Sequence, residues 1–297
     1  MLDEVAYIHD GSLEGLFTAI FTSYEHKQMP SDIASQDRFT ARLGQEVVFI
    51  NTDIVKAKRV KRTLIDRFGY ESYRAVLKAS LCDDADVGMK VFRYIDHLLQ
   101  KAAKLPCKDC KKHASCDMDK RANHSGCFTF KRMAAMSDIS DEVTAPIFEI
   151  ARSVDNECEK MRQFVRFEHL EVEDAHIWFA RINPKHSVVP LIMPHFVERF
   201  NVQPFVIYDE IHGIAGVYEG REWFLVPATE EMIARSENSR ANEEEIVQEA
   251  WRMFYRSVSI DSRYHPEIRR NFMPKRLWKN LTEMKHSTTS HMQFLRS

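Results

Sequence analysis

The chain has 297 residues, of which 44% are apolar and 29% charged, with 9 Gly, 10 Pro and a formal net charge of −2. This composition excludes a disordered or strand-and-turn-rich protein, and no run approaches the roughly 20 apolar residues of a membrane span. Residues 1–10 are acidic and lack the apolar core of a secretory signal. We therefore expect a cytoplasmic protein that has no membrane partner.

The N-terminal part carries mainly helical periodicity. Residues 7–10 predict a short strand that ends in a turn, and Ser12 is placed to cap the helix that follows, with apolar side chains recurring up to Tyr24. Residues 49–52 predict a second strand. The next helix, over residues 57–68, has an apolar face and an opposite basic face. Helical patterns continue over residues 70–81 and 87–99.

Four cysteines then occur within 21 residues, namely Cys107, Cys110, Cys116 and Cys127. Thiolate ligands in such a compact set are typical of a zinc site or an iron–sulfur cluster. The nearby His113 and His124 could replace a cysteine, which would favour zinc, whereas short Cys-x2-Cys-x5-Cys spacings recur in iron–sulfur proteins. We expect a metal centre, with iron–sulfur slightly favoured over zinc. The alternative is four unrelated reduced thiols.

Residues 164–227 change character, because short alternating segments at 165–167, 177–182, 205–208, 213–218 and 223–226 predict antiparallel strands. A helix is predicted over 188–200 between them, and another over 246–260, capped by Asn242 with Glu245. The sequence therefore predicts an α+β fold, with helices packed around a small, mainly antiparallel sheet. We divide the chain into a helical part (1–104), a cysteine-rich metal-binding insertion (105–140) and an α+β part with a basic tail (141–297).

Polar side chains with catalytic potential lie at the ends of two predicted strands and on the helix between them. A histidine titrates near neutrality and a carboxylate can orient it as a general acid or base. The candidate catalytic residues are His186, His195, Asp209 and Glu210. The same carboxylates and a histidine could instead bind a divalent ion, or Lys185 and Arg199 could clamp a phosphate. A purely structural role for these groups is the remaining alternative.

Basic residues are concentrated in residues 52–74, 101–132 and 262–297, so a phosphate-binding face is possible although the net charge is near zero. The tail segment 273–279 interleaves cations with an aromatic ring, which suits a nucleic-acid strand. It also suits a helix that docks Leu277 and Trp278 into the core, which their helical spacing favours, and any single basic segment can be a solvated helix face. The candidate nucleic-acid-binding residues are Lys58, Arg59, Arg62, Lys185, Arg199, Lys275, Arg276, Trp278 and Lys279.

Several segments together carry a family resemblance. They are YIHDGSLEG (residues 7–15), TD (52–53) with KAKRV (56–60), FVRF (164–167), INPKH (182–186), MPHF (193–196) with RF (199–200), IYDE (207–210) and MPKRLWK (273–279). The combination resembles a bacterial family described as DNA metabolism or DNA repair proteins. Such proteins are typically encoded beside a radical-SAM partner, and a similar domain is fused to uracil-DNA-glycosylase-like proteins. The compact cysteine tetrad departs from the family pattern, so the resemblance implies no cofactor.

Two classes of function follow from these observations. In the first, which the resemblance favours, the chain is an accessory nucleic-acid-binding protein in DNA repair or modification and acts with a radical-SAM enzyme. In the second, it is a nuclease or glycosylase-like hydrolase that acts through the His/Asp/Glu set. A protein-interaction scaffold without DNA contact is a third alternative. The sequence leaves open whether the chain is an enzyme.

Overall fold

The computed structural model describes residues 4–103, 139–172, 175–238, 244–263 and 265–284. Within them, helices and two small sheets make an α+β protein, which confirms the predicted fold class. The chain divides into two compact units, Met1–Asp155 and Asn156–Ser297. The predicted ligands Cys107, Cys110, Cys116 and Cys127 lie outside the described residues, as does nearly all of the insertion 105–140. The metal-binding insertion and the three-part division therefore stay predictions.

The first unit contains a parallel sheet and the helices that cover it. Its described elements are β1 (Val5–His9), α1 (Leu13–His26), β2 (Asp32–Ser35), β3 (Glu46–Phe49), α2 (Ile54–Thr63), a π-helical turn (Leu64–Phe68), α3 (Tyr70–Ser80) and α4 (Val87–Ala103). Helix α1 begins as predicted, because the Ser12 Oγ accepts a hydrogen bond from the Gly15 N–H at 2.9 Å. Strand β3 lies earlier in the chain than predicted, and β2 was not predicted.

Strand β1 is the centre of this first sheet, whose order is β2-β1-β3 with both pairings parallel. All five of its residues are buried, as expected of a parallel strand covered by helices. Tyr7 pairs with Ile33 of β2 and Val48 of β3. Helix α4 packs so closely on β2 that a Cβ at Gly88 would lie 1.9 Å from the backbone oxygen of Ile33. The carboxyl ends of three strands therefore share one edge.

Helix α5 (Thr144–Phe164) contains the boundary between the units, and the second unit continues with a five-stranded sheet. Its further described elements are β4 (Phe167–Val172), β5 (Ala175–Ile182), α6 (Val189–Phe200), β6 (Phe205–Asp209), β7 (Ile214–Tyr218), β8 (Trp223–Pro227), α7 (Glu230–Asn238), α8 (Glu244–Val258) and α9 (Pro266–Phe272), with short 3₁₀ helices at Asp261–Arg263, Lys275–Asn280 and Thr282–Met284. No helix in the described parts of the chain is both long and apolar enough to cross a membrane.

The second sheet has the order β4-β5-β6-β7-β8 and is mainly antiparallel. This confirms the predicted mainly antiparallel sheet, and the one parallel pair arises because α6 connects β5 to β6 as a crossover. Helix α6 packs directly on the sheet, since a Cβ at Gly216 would lie 2.4 Å from the Met193 Sδ. Parallel pairing places Ile182 beside Asp209, so β5 and β6 end at the same edge.

The two faces of this sheet are covered by different helices. Phe167 on one face contacts Phe196 and Phe200 of α6, with ring centroids 5.4 and 4.6 Å apart. On the opposite face, Leu170 packs in a cluster with residues of α7 such as Met232. Side chains alternate between the two faces along each strand, so residues 167, 169 and 171 share the face on which α6 lies.

Candidate functional site

Asp209, one of the predicted catalytic residues, ends β6 with its carboxylate fully buried. Its Oδ1 accepts hydrogen bonds from the backbone N–H groups of Ile211 and His212, at 2.9 and 3.1 Å. Its Oδ2 lies 2.6 Å from the Nδ1 of His212. The partners of this carboxylate therefore lie within its own turn, and the histidine beside it is His212, which the sequence analysis did not single out.

The hydrogen bonds of the Asp209 carboxylate described above involve none of the other three predicted catalytic residues. His186 is buried in the loop after β5. His195 is half-buried on α6, with its ring edge-on to Phe196 at 5.0 Å. The Glu210 carboxylate lies 2.7 Å from the Lys279 ammonium. Their catalytic roles stay a prediction.

The Asp209–His212 pair has the geometry of a general acid–base dyad. A buried carboxylate beside Nδ1 fixes the orientation of the imidazole and stabilises the imidazolium when it forms. His212 is partly exposed, so the ring can exchange protons with a ligand or with solvent. The sequence did contain a pattern that indicates this pair. His212 follows Asp209, at the end of a strand, by three residues, and this spacing allows the two side chains to meet within one turn.

The tail segment that was predicted to bind nucleic acid packs against the carboxyl edge of β5. The Arg276 guanidinium donates to the buried Glu157 carboxylate at 2.6 Å and to the backbone oxygen of Asn183 at 2.9 Å. The Asn183 side chain donates in return to the backbone oxygen of Arg276 at 2.5 Å. Leu277 is buried, and the Trp278 indole N–H donates to the backbone oxygen of Met273. These contacts support the docking alternative for this segment.

Helix α2 of the first unit carries the densest exposed positive charge on a single described helix. Lys58, Arg59, Lys61 and Arg62 are all exposed, and within the described ranges none has a carboxylate at ion-pair distance. Lys56 on the same helix differs, because it pairs with Glu25 at 2.6 Å. The sequence-predicted residues Lys58, Arg59 and Arg62 are thus brought together on one surface.

An apolar pocket of about 230 Å³ opens beside this basic helix. It lies between α1, α2 and α4, and its walls include Phe21, Tyr24 and Arg59. The Arg59 guanidinium lies 4.7 Å from the centroid of the Phe21 ring, which is within the range of a cation–π contact. The Tyr24 hydroxyl donates to the Asp96 carboxylate at 2.9 Å. The pKa of Tyr24 is raised mainly by burial and further by this hydrogen bond.

The other predicted nucleic-acid contacts lie in the second unit and are more scattered. Lys185, Arg199 and Lys275 are exposed, on the loop after β5, on α6 and in the tail segment. Arg276 and Lys279 have acidic partners, as described above. The predicted contacts of the second unit are therefore single cations, whereas α2 presents four cations within five residues.

The carboxyl edge of the first sheet holds a second polar network, centred on Asp10. Its Oδ1 accepts from the Ser12 N–H at 2.9 Å and the Ser12 hydroxyl at 2.5 Å, and its Oδ2 accepts from the Thr52 hydroxyl at 2.8 Å. Burial alone would raise the pKa of the Asp10 carboxyl, but these hydrogen bonds outweigh it and lower the pKa. A Cβ at Gly15 would lie 2.3 Å from Asp10 Oδ1, so a larger residue there would displace the carboxylate from this network.

This edge is the point where the strand order reverses, which is where ligands often bind in parallel sheets. The neighbouring His9 is buried, and burial lowers its pKa although Asp10 and Asp37 oppose the shift. The start of α1 is already occupied by the Asp10 carboxylate. A second anion such as a phosphate is therefore disfavoured at this helix terminus.

For a metal ion, the described residues offer one group of three close ligand atoms, from His169, Glu171 and His176. The predicted cysteine ligands fall outside the described ranges.

A comparison with protein families matches residues 127–283, a little more than half of the chain, to the family described as domain of unknown function DUF4130. A search of curated proteins finds no match.

Proposed function

The chain belongs to the DUF4130 family, which is named for its unknown function, and we propose that it is an accessory nucleic-acid-binding protein in DNA repair or modification. The observation that carries this proposal is the exposed basic face of α2. Among the described residues these four cations have no carboxylate within ion-pair distance, so they can contact phosphate oxygens and release condensed counterions when they bind. The proposed interface lies in the first unit, outside the residues that match the family.

The adjoining pocket makes single-stranded DNA, whose bases are unstacked, a better ligand than a closed duplex. Proteins that bind single strands combine a basic groove with aromatic side chains on which bases stack. Here Phe21 and Tyr24 line an apolar pocket, and Arg59 lies between that pocket and the basic face. We infer that phosphates lie along Lys58, Arg59 and Arg62 while one base enters the pocket.

A radical-SAM enzyme is the proposed partner, on the strength of the family resemblance alone. In this arrangement the chain presents a DNA strand while the partner performs the chemistry in the cytoplasm. Copurification of the two proteins, with and without DNA, tests this part of the proposal. The partner claim is abandoned if the two proteins elute separately under both conditions.

A comparison of two matched charge-neutralised variants tests the binding surface. The first carries Lys58→Gln, Arg59→Gln and Arg62→Gln, and the second carries Lys185→Gln, Arg199→Gln and Lys275→Gln. Both lose three exposed cations, and glutamine has a helix propensity similar to that of lysine and arginine. Fluorescence anisotropy with a labelled single strand measures affinity at low salt. We expect the first variant to lose at least about tenfold more affinity than the second.

Two outcomes of that comparison contradict the proposal. Equal losses would show that binding depends on net charge and not on α2. A larger loss in the second variant would move the interface to the second unit. If the wild-type protein does not bind DNA at low salt, a protein-interaction scaffold becomes the better account.

The Asp209–His212 dyad favours a second candidate function, a hydrolase that acts on nucleic acid. In that case His212, oriented by Asp209, serves as the general acid or base. Labelled DNA incubated with the protein would give shorter or base-free products, and His212→Ala would abolish turnover while binding persists. His195→Ala tests the assignment made from the sequence in the same assay. Intact DNA in all samples rules this function out for the substrates used.

A further inference from the structure

The hairpin of β4 and β5 brings together three side chains whose chemistry suits a metal ion. Glu171 lies directly opposite His176 in the antiparallel register, and His169 precedes Glu171 by two residues on the same face. The three possible ligand atoms all lie within 4.8 Å of one another. Glu171 and His176 are exposed and His169 is partly exposed, so an ion can reach them from solvent.

The distance between the two imidazoles matches a shared ion. His169 Nε2 and His176 Nδ1 are 3.2 Å apart. Two nitrogens bound at about 2.1 Å to one ion, with a ligand–metal–ligand angle between octahedral and tetrahedral, lie about 3.0–3.4 Å apart. The same distance also allows an N–H···N hydrogen bond between the rings, so the test below must separate the two.

Neighbouring groups hold the ligands in place. The His169 ring stacks on His176 and also contacts Trp178, with both ring centroids 5.1 Å away. The His169 backbone N–H, on the edge strand, donates to the buried Glu244 carboxylate at 2.9 Å. Helix α8 thus fixes the backbone of β4 at the position of one ligand. A ligand set that is already ordered loses less entropy on binding.

We propose that His169, Glu171 and His176 form a binding site for a divalent transition-metal ion such as Zn²⁺. Two imidazoles and one carboxylate suit zinc, copper, nickel or iron, whereas Mg²⁺ and Ca²⁺ prefer oxygen ligands. Three protein ligands leave further coordination positions to water, as in zinc sites that act as Lewis acids. Its three ligands are different residues from the predicted cysteine ligands, and the proposal does not depend on the proposed nucleic-acid function.

The experiment measures Zn²⁺ bound by the full-length chain in equilibrium dialysis at neutral pH. The variants are His169→Ala and His176→Ala, and the matched control is His26→Ala, an exposed histidine of α1 that lies outside the cluster. Any zinc on cysteines contributes equally to all samples. We expect the wild type and the control to bind one equivalent more than the two cluster variants.

Two further measurements keep the proposal falsifiable if an alanine variant fails to fold. Glu171→Gln changes an exposed side chain and should weaken Zn²⁺ binding at least about tenfold. Ni²⁺ added to the wild type should quench the fluorescence of the adjacent Trp178. Equal zinc content in wild type and variants, or Mg²⁺ displacing Zn²⁺, would overturn the proposal and leave the two rings as a hydrogen-bonded pair.

Discussion

Arg276 and Glu157 form an ion pair of 2.6 Å in which the carboxylate side chain is only 3% exposed. The partners are 119 residues apart in the sequence, and the pair attaches the segment Lys275–Asn280 to the C-terminal half of α5. The other oxygen of Glu157 accepts the backbone N–H of Lys185 at 2.8 Å. One buried carboxylate thus organises the loop after β5 and the tail segment together.

Loss of Arg276 should therefore destabilise the protein. Arg276→Ala leaves the Glu157 charge buried without its cation, which costs about 3 kcal/mol in the free energy of unfolding. Lys275→Ala removes a neighbouring exposed cation and should change that free energy by less than about 0.5 kcal/mol. Urea denaturation of both variants checks this. Equal stabilities would mean that Arg276 is a surface cation and return it to the nucleic-acid candidates.

Asp10 should make the stability depend on pH in the acidic range. Because its pKa is lowered in the folded protein, its contribution is fully present above the ordinary value of 3.8 and is lost as the pH falls through the folded pKa. Asp10→Asn should lose less stability than wild type over that range. Thr52→Val, which removes one of the donors, should fall between the two. Parallel pH profiles of urea denaturation for all three would contradict this assignment.

Gly15 and Asp10 should be energetically coupled. Gly15→Ala places a methyl group where the carboxylate lies, which should cost about 1–3 kcal/mol through overpacking and loss of the Ser12 and Thr52 hydrogen bonds. In an Asp10→Ala background the same change should cost markedly less. A double-mutant cycle measured by denaturation gives the coupling free energy. A coupling energy near zero would show that the close approach of these residues has no energetic consequence.

The cysteine tetrad predicts bound metal in the purified chain. If Cys107, Cys110, Cys116 and Cys127 hold an iron–sulfur cluster, anaerobically purified protein should absorb at about 400 nm and contain iron and sulfide in equal amounts. A colourless protein with one equivalent of zinc would make the segment a structural zinc module instead. Cys107→Ser, or the same substitution at Cys110, Cys116 or Cys127, should remove the metal, whereas Cys158→Ser, at a buried cysteine elsewhere, should not. The absence of both metals would contradict the prediction.

Local chemistry explains which parts of the fold the sequence predicted. The Ser12 cap, the helix Leu13–His26 and the helix Val189–Phe200 depend on side chains within a few residues, and the structure confirms them. Strand Asp32–Ser35 was missed because its four residues have no strong strand pattern. Pairing with the buried β1 makes it a strand, and such pairing is not visible in a local window.

The candidate sites show the same division between local and distant contacts. The carboxyl edge near Asp209 was located correctly, because strand ends can be read from periodicity. The burial of Glu157 against Arg276 depends on a contact across the fold, which no spacing predicts. The His169–Glu171–His176 cluster was missed because the strand predicted at 165–167 stopped short of it, and its geometry follows from the register of β4 and β5.

The most direct test of the proposed function is the salt dependence of binding to single-stranded DNA. Each phosphate contact contributes about 0.7 to the slope of log affinity against log salt concentration. The account predicts that neutralising Lys58, Arg59 and Arg62 together reduces the magnitude of the slope by about 2, while neutralising Lys185, Arg199 and Lys275 leaves it near the wild-type value. A slope unchanged by the α2 substitutions would contradict the account, because those cations would then not contact phosphates.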